Sequence, residues 1–501
     1  MSTKRAYVAF DLGAESGRAM LAILDNEKIT LQECHRFANL PQQLPSGFHW
    51  NLLDLWRHLV EGLKQAGIAA KESGAELVSL GVDTWGVDFG LLGKSGQLLG
   101  LPFAYRDDRN PPAMQAVHDA LGADEVYLQT GIQHMPFNSI YQLKAQQATE
   151  ACVLDGATDM LFMPDLLHYF FSGEKVNEAT IASTSQMVNP HTGKWNTQLL
   201  DKAGIPHGFL KDIVPAGTKI GKLREVIAKE AAVEQIDIIV PGSHDTASAI
   251  ASVPVDKANS GNWLYLSSGT WSLMGAELDK PIVNEASLKA NYTNERGVED
   301  KIRFLKNISG LWLVQECRRD LIRKGQDLDY PTLTQMAADS EPFVTLIDTD
   351  HAPFASPGDM LAKIDNYAQK TGQPKPTTPG GYVRACLESL ALTYRNVCQD
   401  LEHLTEQDID VLHIVGGGGK NSLLNQMTAD AINKKVIVGP FEATAIGNAL
   451  TQAMGNGDIK DLNHIRRIVR NSFELETYEP SGAANYDAPA KRYADLQAQG
   501  V

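Results

Sequence analysis

The sequence is poor in cysteine and lacks the spacings that cysteine-dependent structures need. Only five cysteines occur in 501 residues, and no two of them form a Cys-x-x-Cys pair. The thirteen histidines likewise form no His-Glu-x-x-His pattern. Neither a disulfide framework nor a zinc site is therefore expected. An odd number of unpaired thiols in a chain of this size is typical of a reducing compartment, so we expect a cytoplasmic protein.

Long apolar runs and excess positive charge are also missing. No stretch approaches 18 uncharged apolar residues, whereas a membrane-spanning helix needs about 20. The opening residues, MSTKRAYVAF, contain too short an apolar segment for a secretory signal peptide. The chain has 45 Lys and Arg against 61 Asp and Glu, which gives a formal net charge of −16. This balance argues against nucleic acid as a partner, and no membrane association is expected.

Strand-like and helix-like segments alternate along the chain, which is typical of α/β proteins. Two strand candidates, 6–10 and 18–24, flank the turn DLGAESG. The same layout of strand, glycine turn and strand returns at 263–277. The helices that we predict are 52–73, 111–130, 138–150 and an amphipathic one at 382–404. Two related halves are therefore expected.

A segment rich in small and polar residues, PVDKANSGN at 254–262, has the composition of a linker. We therefore predict two α/β domains, 1–253 and 254–501. Small molecules commonly bind in the cleft between two domains, and we expect the site there.

The string DLGAESGR begins at Asp11 and places Gly13 and Gly17 in its turn. Bare glycine backbone allows amide groups to approach a phosphate closely. Ser16 and Arg18 add further donors, and Asp11 could hold a magnesium ion through water. A plain hairpin with aspartate as a turn former explains the same residues equally well.

Two further glycine turns fit a protein that binds a nucleotide. The first, LSSGTWS at 266–272, has the hydroxyls of Ser267, Ser268 and Thr270, although alone it favours a simple hairpin. A kinase needs a phosphate loop on each wall of its cleft, so this turn and the turn after Asp11 together favour that class. The second, GGGGKN at 416–421, lies between a buried strand and a helix. Four glycines are entropically costly and suit a flat ring lying on bare backbone, with a loose turn as the alternative.

Asp245, in the string GSHDTASA, stands between a strand and a helix. Aspartate is a common helix N-cap, and composition alone favours that role. The functional alternative is a carboxylate that accepts the proton of a sugar hydroxyl during phosphoryl transfer. The two roles are compatible, because amide donors at the helix start keep a carboxylate ionised. His244 and Thr246 flank Asp245 and could bind sugar hydroxyls.

The string DTWGVDF, 83–89, combines an aromatic ring, a glycine and two carboxylates, which suits a polyol. Core packing of Trp85 and Phe89, with a turn role for either aspartate, is the alternative. Gly93-Lys94-Ser95 is similar to the end of a phosphate-binding P-loop, but Asp88 stands where that motif needs its first glycine. We predict a β-hairpin turn there instead.

Taken in order, six strings resemble the FGGY carbohydrate kinases over about residues 7–455. They are DLGAESGR, TWGVDF, YRDDR, SHDT, SSGTWS and GGGGKN. The resemblance implies two actin-like ATPase domains of the ribonuclease H-like fold flanking a catalytic cleft, with ATP as co-substrate and Mg²⁺. Longer strings resemble the members that convert L-rhamnulose to L-rhamnulose 1-phosphate in L-rhamnose breakdown. They include GVDTWGVDF, GLPFAYRDDR, PFNSIYQL, YLSSGTWSLMG and KNISGLWLVQE.

The resemblance alone assigns the residue roles. Asp245 would be the proton acceptor and Asp11 would organise the metal. The residues implied to contact ATP are Ala14, Glu15, Ser16, Gly17, Arg18, Thr270, Gln315, Gly416, Gly417 and Gly418. The residues implied to line the sugar are Gly86, His244, Asp245, Thr246 and Asn307. Glu15 departs from the family pattern of a small hydroxyl residue, so a direct contact is least expected there.

Alternatives remain within and outside this family. Within it, an L-fuculokinase or another ketose kinase is possible, since sugar choice depends on a few hydroxyl contacts. Outside it stand a non-catalytic sugar-responsive regulator and an actin-like ATPase that serves protein partners. The presence of Asp11 and Asp245, without a basic helix-turn-helix extension, argues against a regulator. We expect ATP and a ketose as ligands, bound by a monomer or small homo-oligomer.

Overall fold

The computed structural model describes residues 4–256, 261–482 and 485–500, and packing divides them into two compact units. The first unit extends as far as Asp256 and also includes Glu277–Phe304 and Glu442–Phe473. The remaining described residues form the second unit. Two strands, Ser272–Leu278 and Ile302–Ile308, have residues in both units.

Strands and helices alternate throughout. The strands are β1 (Arg5–Leu12), β2 (Ser16–Asp25), β3 (Lys28–Ala38), β4 (Gln42–Leu44), β5 (Gly47–His49), β6 (Glu76–Thr84), β7 (Phe89–Leu92), β8 (Asp159–Phe162), β9 (Asn177–Glu178), β10 (Ile213–Val214), β11 (Lys219–Lys222), β12 (Asp237–Ile239), β13 (Trp263–Ser268), β14 (Ser272–Leu278), β15 (Thr293–Arg296), β16 (Ile302–Ile308), β17 (Val411–Val415), β18 (Lys435–Val438) and β19 (Glu476–Tyr478). The helices are α1 (Leu52–Glu72), α2 (Asn110–Leu121), α3 (Ala123–Thr130), α4 (Ser139–Gly156), α5 (Met163–Ser172), α6 (Ala179–Ser183), α7 (Thr197–Ala203), α8 (Glu225–Ala231), α9 (Asp245–Ala251), α10 (Glu285–Lys289), α11 (Trp312–Arg323), α12 (Tyr330–Ala338), α13 (Met360–Lys370), α14 (Pro379–Thr405), α15 (Ser422–Ile432), α16 (Ala443–Gly455), α17 (Leu462–Ser472) and α18 (Asp487–Ala498).

The first unit is built on a sheet with the strand order β11-β12-β6-β1-β2-β3. β1 runs parallel to β6 and antiparallel to β2. Alternate residues of β1 enter two different cores, with Val8 and Phe10 on one face and Tyr7 and Ala9 on the other. Because both faces are buried, residues 6–10 of the strand are all apolar instead of alternating with polar residues.

Helices cover both faces of this sheet. α1 supplies apolar side chains to the core that contains Phe10, and α16 supplies them to the core that contains Tyr7. A third core, formed by β7, β8 and the helices around them, includes Val117, Tyr141 and Phe162. Each core is closed by elements that are distant in sequence, which is usual for α/β domains.

The second unit contains the strand order β16-β14-β13-β17-β18-β19. β13 and β14 form an antiparallel hairpin, and β13, β17 and β18 are parallel to one another. The helix α14 confirms the helix predicted at 382–404, but the prediction that this helix is amphipathic is wrong at its centre. Every residue from 385 to 394 is buried, because α11, α12 and α15 all pack against this helix.

Most other predicted elements are confirmed with shifted ends. The prediction at 52–73 corresponds to α1. The prediction at 111–130 is two helices, since Gly122 adopts φ 84° between α2 and α3. The Gly93-Lys94-Ser95 stretch is a β-turn closed by an antiparallel bridge between Leu92 and Leu98, as expected. No helix among the described residues is both long and apolar enough to cross a membrane.

Packing divides the chain differently from the linear boundary at 253/254. Two later segments belong to the first unit. α16 and α17 of the segment Glu442–Phe473 complete its second core, and the other segment contributes Val298 to the same core. The division into 1–253 and 254–501 stays a prediction about sequence domains. The predicted linker at 254–262 falls partly on residues 257–260, which lie outside the described residues.

The contact between α9 and α16 is unusually close. A Cβ atom at Gly447 would overlap the carbonyl oxygen and carbon of Ser248. The hydroxyl of Ser252 also donates to the carbonyl of Ala443 at 2.9 Å. Glycine at 447 therefore allows the backbone of α16 to touch that of α9, whose first residue is Asp245.

We expect Gly447→Ala to lower the free energy of unfolding by about 3 kcal/mol, because the added methyl group must displace backbone atoms. Gly156→Ala is the matched control, since its Cβ would meet only Leu99 at an ordinary 3.7 Å. Urea denaturation monitored by circular dichroism measures both variants. Equal stability of the two variants would contradict the account of this helix contact.

Candidate active site

Asp245 lies where the loop after β12 enters α9. The amide of Thr84, at the end of β6, donates to the carbonyl of Ser243 at 2.9 Å and ties this loop to the sheet. Oδ1 of Asp245 accepts from the amide and, at 3.0 Å, from the hydroxyl of Thr246. His244 occupies the N-cap position. The predicted N-cap role of Asp245 is therefore wrong by one residue, because Asp245 is the first residue of the helix.

A buried glutamate holds the backbone that leads to Asp245. Glu178 has no solvent exposure, and its Oε2 accepts from the amides of Ser243 and Ile181, each at 3.1 Å. The hydroxyl of Thr180 donates to the same oxygen and accepts from the amide of His244 at 3.1 Å. The start of α6 therefore fixes the position of residues 243–244. No sequence motif around Glu178 indicates this role.

Gly86 lies directly against His244. A Cβ atom at this position would be 3.4 Å from Nε2 of His244 and 3.4 Å from the side chain of Thr184. Four of the five residues predicted to line the sugar, Gly86, His244, Asp245 and Thr246, are thus brought together in the first unit. Asn307 lies on β16 in the second unit.

Asp11 lies near the end of β1, in register with Arg18 on β2 and Asp83 on β6. The guanidinium of Arg18 forms ion pairs with the carboxylates of Asp11 and Glu442. Burial raises the pKa of Asp11 above its ordinary value, although Arg18 opposes this shift. Burial and then the charge of Asp11 raise the pKa of Asp83 well above its ordinary value. The electrostatic cost of this region is therefore only partly offset by Arg18.

The carboxylates near Asp11 fit the oxygen chemistry of magnesium. Oδ2 of Asp83 accepts from Nδ2 of Asn448, whereas its buried Oδ1 has no hydrogen-bond partner within the described ranges. Nowhere among the described residues does a group of three or more His, Cys, Asp or Glu side chains have the arrangement to hold a metal. Mg²⁺ commonly uses one or two carboxylates and completes its shell with water and phosphate oxygens. Asp11 is thus a suitable partner for a phosphate-bound ion.

The turn after Asp11 has structural reasons for part of its sequence. The amide of Gly13 donates to the carbonyl of Ser16 at 2.9 Å, which closes the turn. A Cβ atom at Gly17 would overlap the ring of Phe37 and the side chain of Leu12. Close packing therefore requires glycine at 17 regardless of any phosphate. Residues 14–18, half of those predicted to contact ATP, lie in the first unit.

The other half of the predicted ATP residues meet in the second unit. Nε2 of Gln315 donates to Oγ1 of Thr270 at 3.2 Å. A Cβ atom at Gly416 would lie 2.8 Å from the carbonyl oxygen of Ser268, and one at Gly418 would overlap the Ser268 side chain. Gly416 also has φ 88°, a conformation that favours glycine. The glycine run therefore packs its backbone closely against the end of β13.

Gly417 differs from its neighbours. No heavy atom of the described chain lies within 4 Å of a Cβ atom built at this position. The residue begins a short 3₁₀ turn over Gly417–Lys420. Its backbone is thus open to a ligand, whereas Gly416 and Gly418 are glycines because of protein packing.

The DTWGVDF string is mainly structural. Trp85 is buried and its ring centroid lies 4.0 Å from that of Trp50. Oδ2 of Asp88 accepts from both indole nitrogens and from the amide of Tyr105, and Oδ1 accepts from Gln142 at 2.8 Å. Core packing is confirmed for the aromatic ring, while Asp88 is a buried hydrogen-bond acceptor instead of a turn former.

Two models of known protein families match the sequence and show the family of the chain. A model of the N-terminal domain of the FGGY family of carbohydrate kinases matches residues 6–251, and a model of the C-terminal domain matches residues 264–455. The chain belongs to the FGGY family of carbohydrate kinases. The prediction of that family, and of a two-domain α/β carbohydrate-kinase fold, is confirmed.

Similar curated proteins match this FGGY kinase over nearly its whole length. A rhamnulokinase from Bacteroides thetaiotaomicron is 44% identical over 485 residues, which cover 97% of this chain and 98% of the relative. A rhamnulokinase from Bacillus subtilis is 37% identical over 474 residues, with 95% of each chain covered. At this identity, long stretches of sequence outside the short motifs are shared.

Solved structures support the fold of this FGGY kinase. A ligand-bound xylulose kinase from Lactobacillus acidophilus superimposes with a TM-score of 0.79 at 15% identity and covers 99% of this chain and 96% of that one. A Plasmodium falciparum glycerol kinase with ADP has a TM-score of 0.77 at 15% identity, with coverage of 99% and 97%. At such low identity these matches concern architecture alone.

The protonation of Glu178 provides a test of its burial. Burial raises the pKa of Glu178 from 4.5 to about 7, although the hydrogen bonds from Thr180, Ile181 and Ser243 oppose the shift. Between these values the folded protein binds more protons than the unfolded chain, so this group lowers stability as the pH rises.

We therefore expect the stability of the wild type relative to Glu178→Gln to fall by up to about 3 kcal/mol between pH 4.5 and 7. Above pH 7 the difference should stay constant. Denaturant unfolding of both proteins at several pH values measures it. A difference that does not change over this window would contradict the burial of an ionisable group at 178.

Proposed function

We propose that this protein transfers the γ-phosphoryl group of ATP to L-rhamnulose and releases L-rhamnulose 1-phosphate and ADP. The observation that carries the proposal is the near full-length match to rhamnulokinases at 37–44% identity. The reaction belongs to the breakdown of L-rhamnose. A cytoplasmic location is part of the same proposal, and the five free cysteines support it.

In this proposal Asp245 accepts the proton of the sugar hydroxyl as the hydroxyl oxygen attacks the γ-phosphorus. Its side chain keeps 32% of its surface exposed, so a substrate can reach it. Oδ1 is already engaged by Thr246. Oδ2 is therefore the oxygen we assign to the incoming proton.

The sugar would be recognised by the residues around this carboxylate. Gly86 leaves room for the ketose next to His244, and the hydroxyl of Thr246 and the ring of His244 provide polar contacts. Asn307 is proposed as a further contact from the second unit. A site that pairs each sugar hydroxyl rejects analogues that leave a buried polar group unpaired.

ATP would use both sets of glycine-rich backbone. We propose that residues 14–18 contact its phosphates, with Glu15 the least direct of them, and that Thr270 and Gln315 contact the nucleotide. The backbone at 416–418, where Gly417 is exposed, would support the adenine ring. Mg²⁺ would bind to the phosphates and to Asp11, where it would neutralise charge on the transferred group.

The substrate assignment is tested by ADP release coupled to a pyruvate kinase and lactate dehydrogenase assay. We expect the highest kcat/KM with L-rhamnulose and lower values with L-fuculose, L-xylulose and glycerol. ATP turnover without a ketose should be negligible. Preference for another of these compounds, or turnover that is independent of sugar, would overturn the proposal.

Asp245→Asn should reduce kcat by about 10²–10⁴-fold, since an amide cannot accept the hydroxyl proton. The fold should persist because the amide oxygen can still accept from Thr246. Asp329→Asn is a matched control, because Asp329 also accepts an amide hydrogen bond at a helix start but caps α12 in the second unit. Near-normal turnover by Asp245→Asn would contradict the general-base role.

Gly417→Ala should raise the KM for ATP by about tenfold, equivalent to about 1.4 kcal/mol, because a methyl group would keep the base away from the backbone. The KM for the ketose and the thermal stability should not change. Gly208→Ala is the control, since its Cβ also meets no described heavy atom within 4 Å. Equal KM values for ATP in both variants would argue against an adenine position at 417.

A further inference from the structure

A buried ion pair lies behind His244, the residue that precedes the proposed base. Arg303, near the start of β16, has a fully buried side chain, and Nη2 lies 3.0 Å from Oε2 of Glu295 on β15. Its Nε donates to the carbonyl of Arg296 at 3.0 Å. The two residues of this pair follow the linear boundary at 253/254, but both pack within the first unit.

The same guanidinium reaches the imidazole. Nη2 of Arg303 lies 3.0 Å from Nδ1 of His244 with hydrogen-bond geometry. Nδ1 also lies 3.2 Å from Oε2 of Glu295, but of these two contacts only the one with Arg303 has hydrogen-bond geometry. A guanidinium group has only donors, so this hydrogen bond makes Nδ1 the acceptor and places the proton of a neutral imidazole on Nε2. Nε2 lies 3.4 Å from Oδ1 of Asp245. The arginine thereby selects the tautomer whose N–H faces the proposed base.

The ion pair with Glu295 offsets the energetic cost of burying the charge of Arg303. An unpaired buried charge is strongly destabilising, whereas a paired one can be accommodated. The carboxylate of Glu295 is nearly buried as well. Burial opposes its ionisation, yet the charge of Arg303 lowers the pKa of Glu295 below its ordinary value. Glu295 thus keeps Arg303 in place beside the ring.

These contacts have a direct consequence for Asp245. Its Oδ1 receives the amide and hydroxyl of Thr246 on one side and faces Nε2 of His244 on the other. Two hydrogen bonds from Thr246 and one longer contact with the imidazole N–H then meet at one carboxylate oxygen. A carboxylate held in this way cannot rotate freely, so its Oδ2 keeps a constant direction.

We propose that Arg303 and Glu295 are positioning residues for phosphoryl transfer, which hold His244 in its Nε2–H tautomer and thereby direct Oδ2 of Asp245 at the sugar hydroxyl. This inference rests on the proposed function. It assigns a role in the reaction to two residues that contact neither substrate and that no sequence motif had singled out.

The first unit offers a matched control. Arg466 and Glu277 form a second buried pair, with Nη2 2.6 Å from Oε2 and side chains that are 2% and 9% exposed. Glu277 begins the same segment, Glu277–Phe304, that contains Glu295 and Arg303. The Arg466–Glu277 pair packs near Ile250 instead of His244. Glu277→Gln therefore perturbs a buried ion pair without touching the imidazole.

The test combines kinetics with ¹⁵N NMR of histidine-labelled protein, in which His244→Asn identifies the signal of residue 244. We expect wild-type His244 to carry its proton on Nε2. Arg303→Met should lose this preference and lower kcat by about 10–100-fold, with the KM for ATP unchanged. Arg303→Lys, which keeps a donor and a charge, should recover most of the rate. Glu277→Gln should keep both the wild-type tautomer and the wild-type kcat.

Because Arg303→Met leaves Glu295 unpaired and could fail to fold, the double variant Glu295→Gln/Arg303→Met removes both charges and is expected to show the same loss of rate and tautomer. A wild-type proton on Nδ1, or a normal kcat in either folded variant, would overturn the inference. Absence of ketose-dependent ADP release by the wild type would overturn the proposed function itself. An active wild type with unaffected Arg303 variants would overturn this inference alone.

Discussion

Several carboxylates share one poorly solvated region of the first unit, and much of the neighbouring structure offsets the resulting repulsion. Asp11 and Asp83 lie side by side on β1 and β6, and the charge of Asp245 acts on both. Charges of one sign in a poorly solvated place are tolerated only with specific partners. Arg18 forms an ion pair with Asp11, and Asn448 donates a hydrogen bond to Asp83. A cation bound to the nucleotide phosphates would be attracted by the negative charge of these carboxylates.

Segments late in the chain are needed to build this region. Asn448 reaches Asp83 from α16, and Glu442, just before the same helix, holds Arg18. α16 can approach closely because Gly447 has no side chain at the contact with α9. The segment Glu277–Phe304 adds the Arg303–Glu295 pair behind His244. The first unit thus depends on residues from three separate parts of the sequence.

The short motifs were sufficient to predict the fold class, the family and the main elements. Residues 6–10 of β1 form an unbroken apolar run, and glycine turns follow β1 and β13, so local patterns were informative there. Glu178, Asn448, Glu295 and Arg303 could not be found in this way, because their roles depend on contacts between distant segments. Buried polar residues carry no periodic signal, and single charged letters in a sequence usually belong to the surface.

The central claim is that the phosphoryl group of ATP is transferred to a ketose held at Asp245. The most direct measurement is ³¹P NMR of wild-type protein with ATP, Mg²⁺ and L-rhamnulose. We expect a new phosphomonoester signal, coupled to the C1 protons of the sugar, that grows as the γ-phosphate signal of ATP declines. Formation of inorganic phosphate alone, or a phosphomonoester at another carbon, would contradict it.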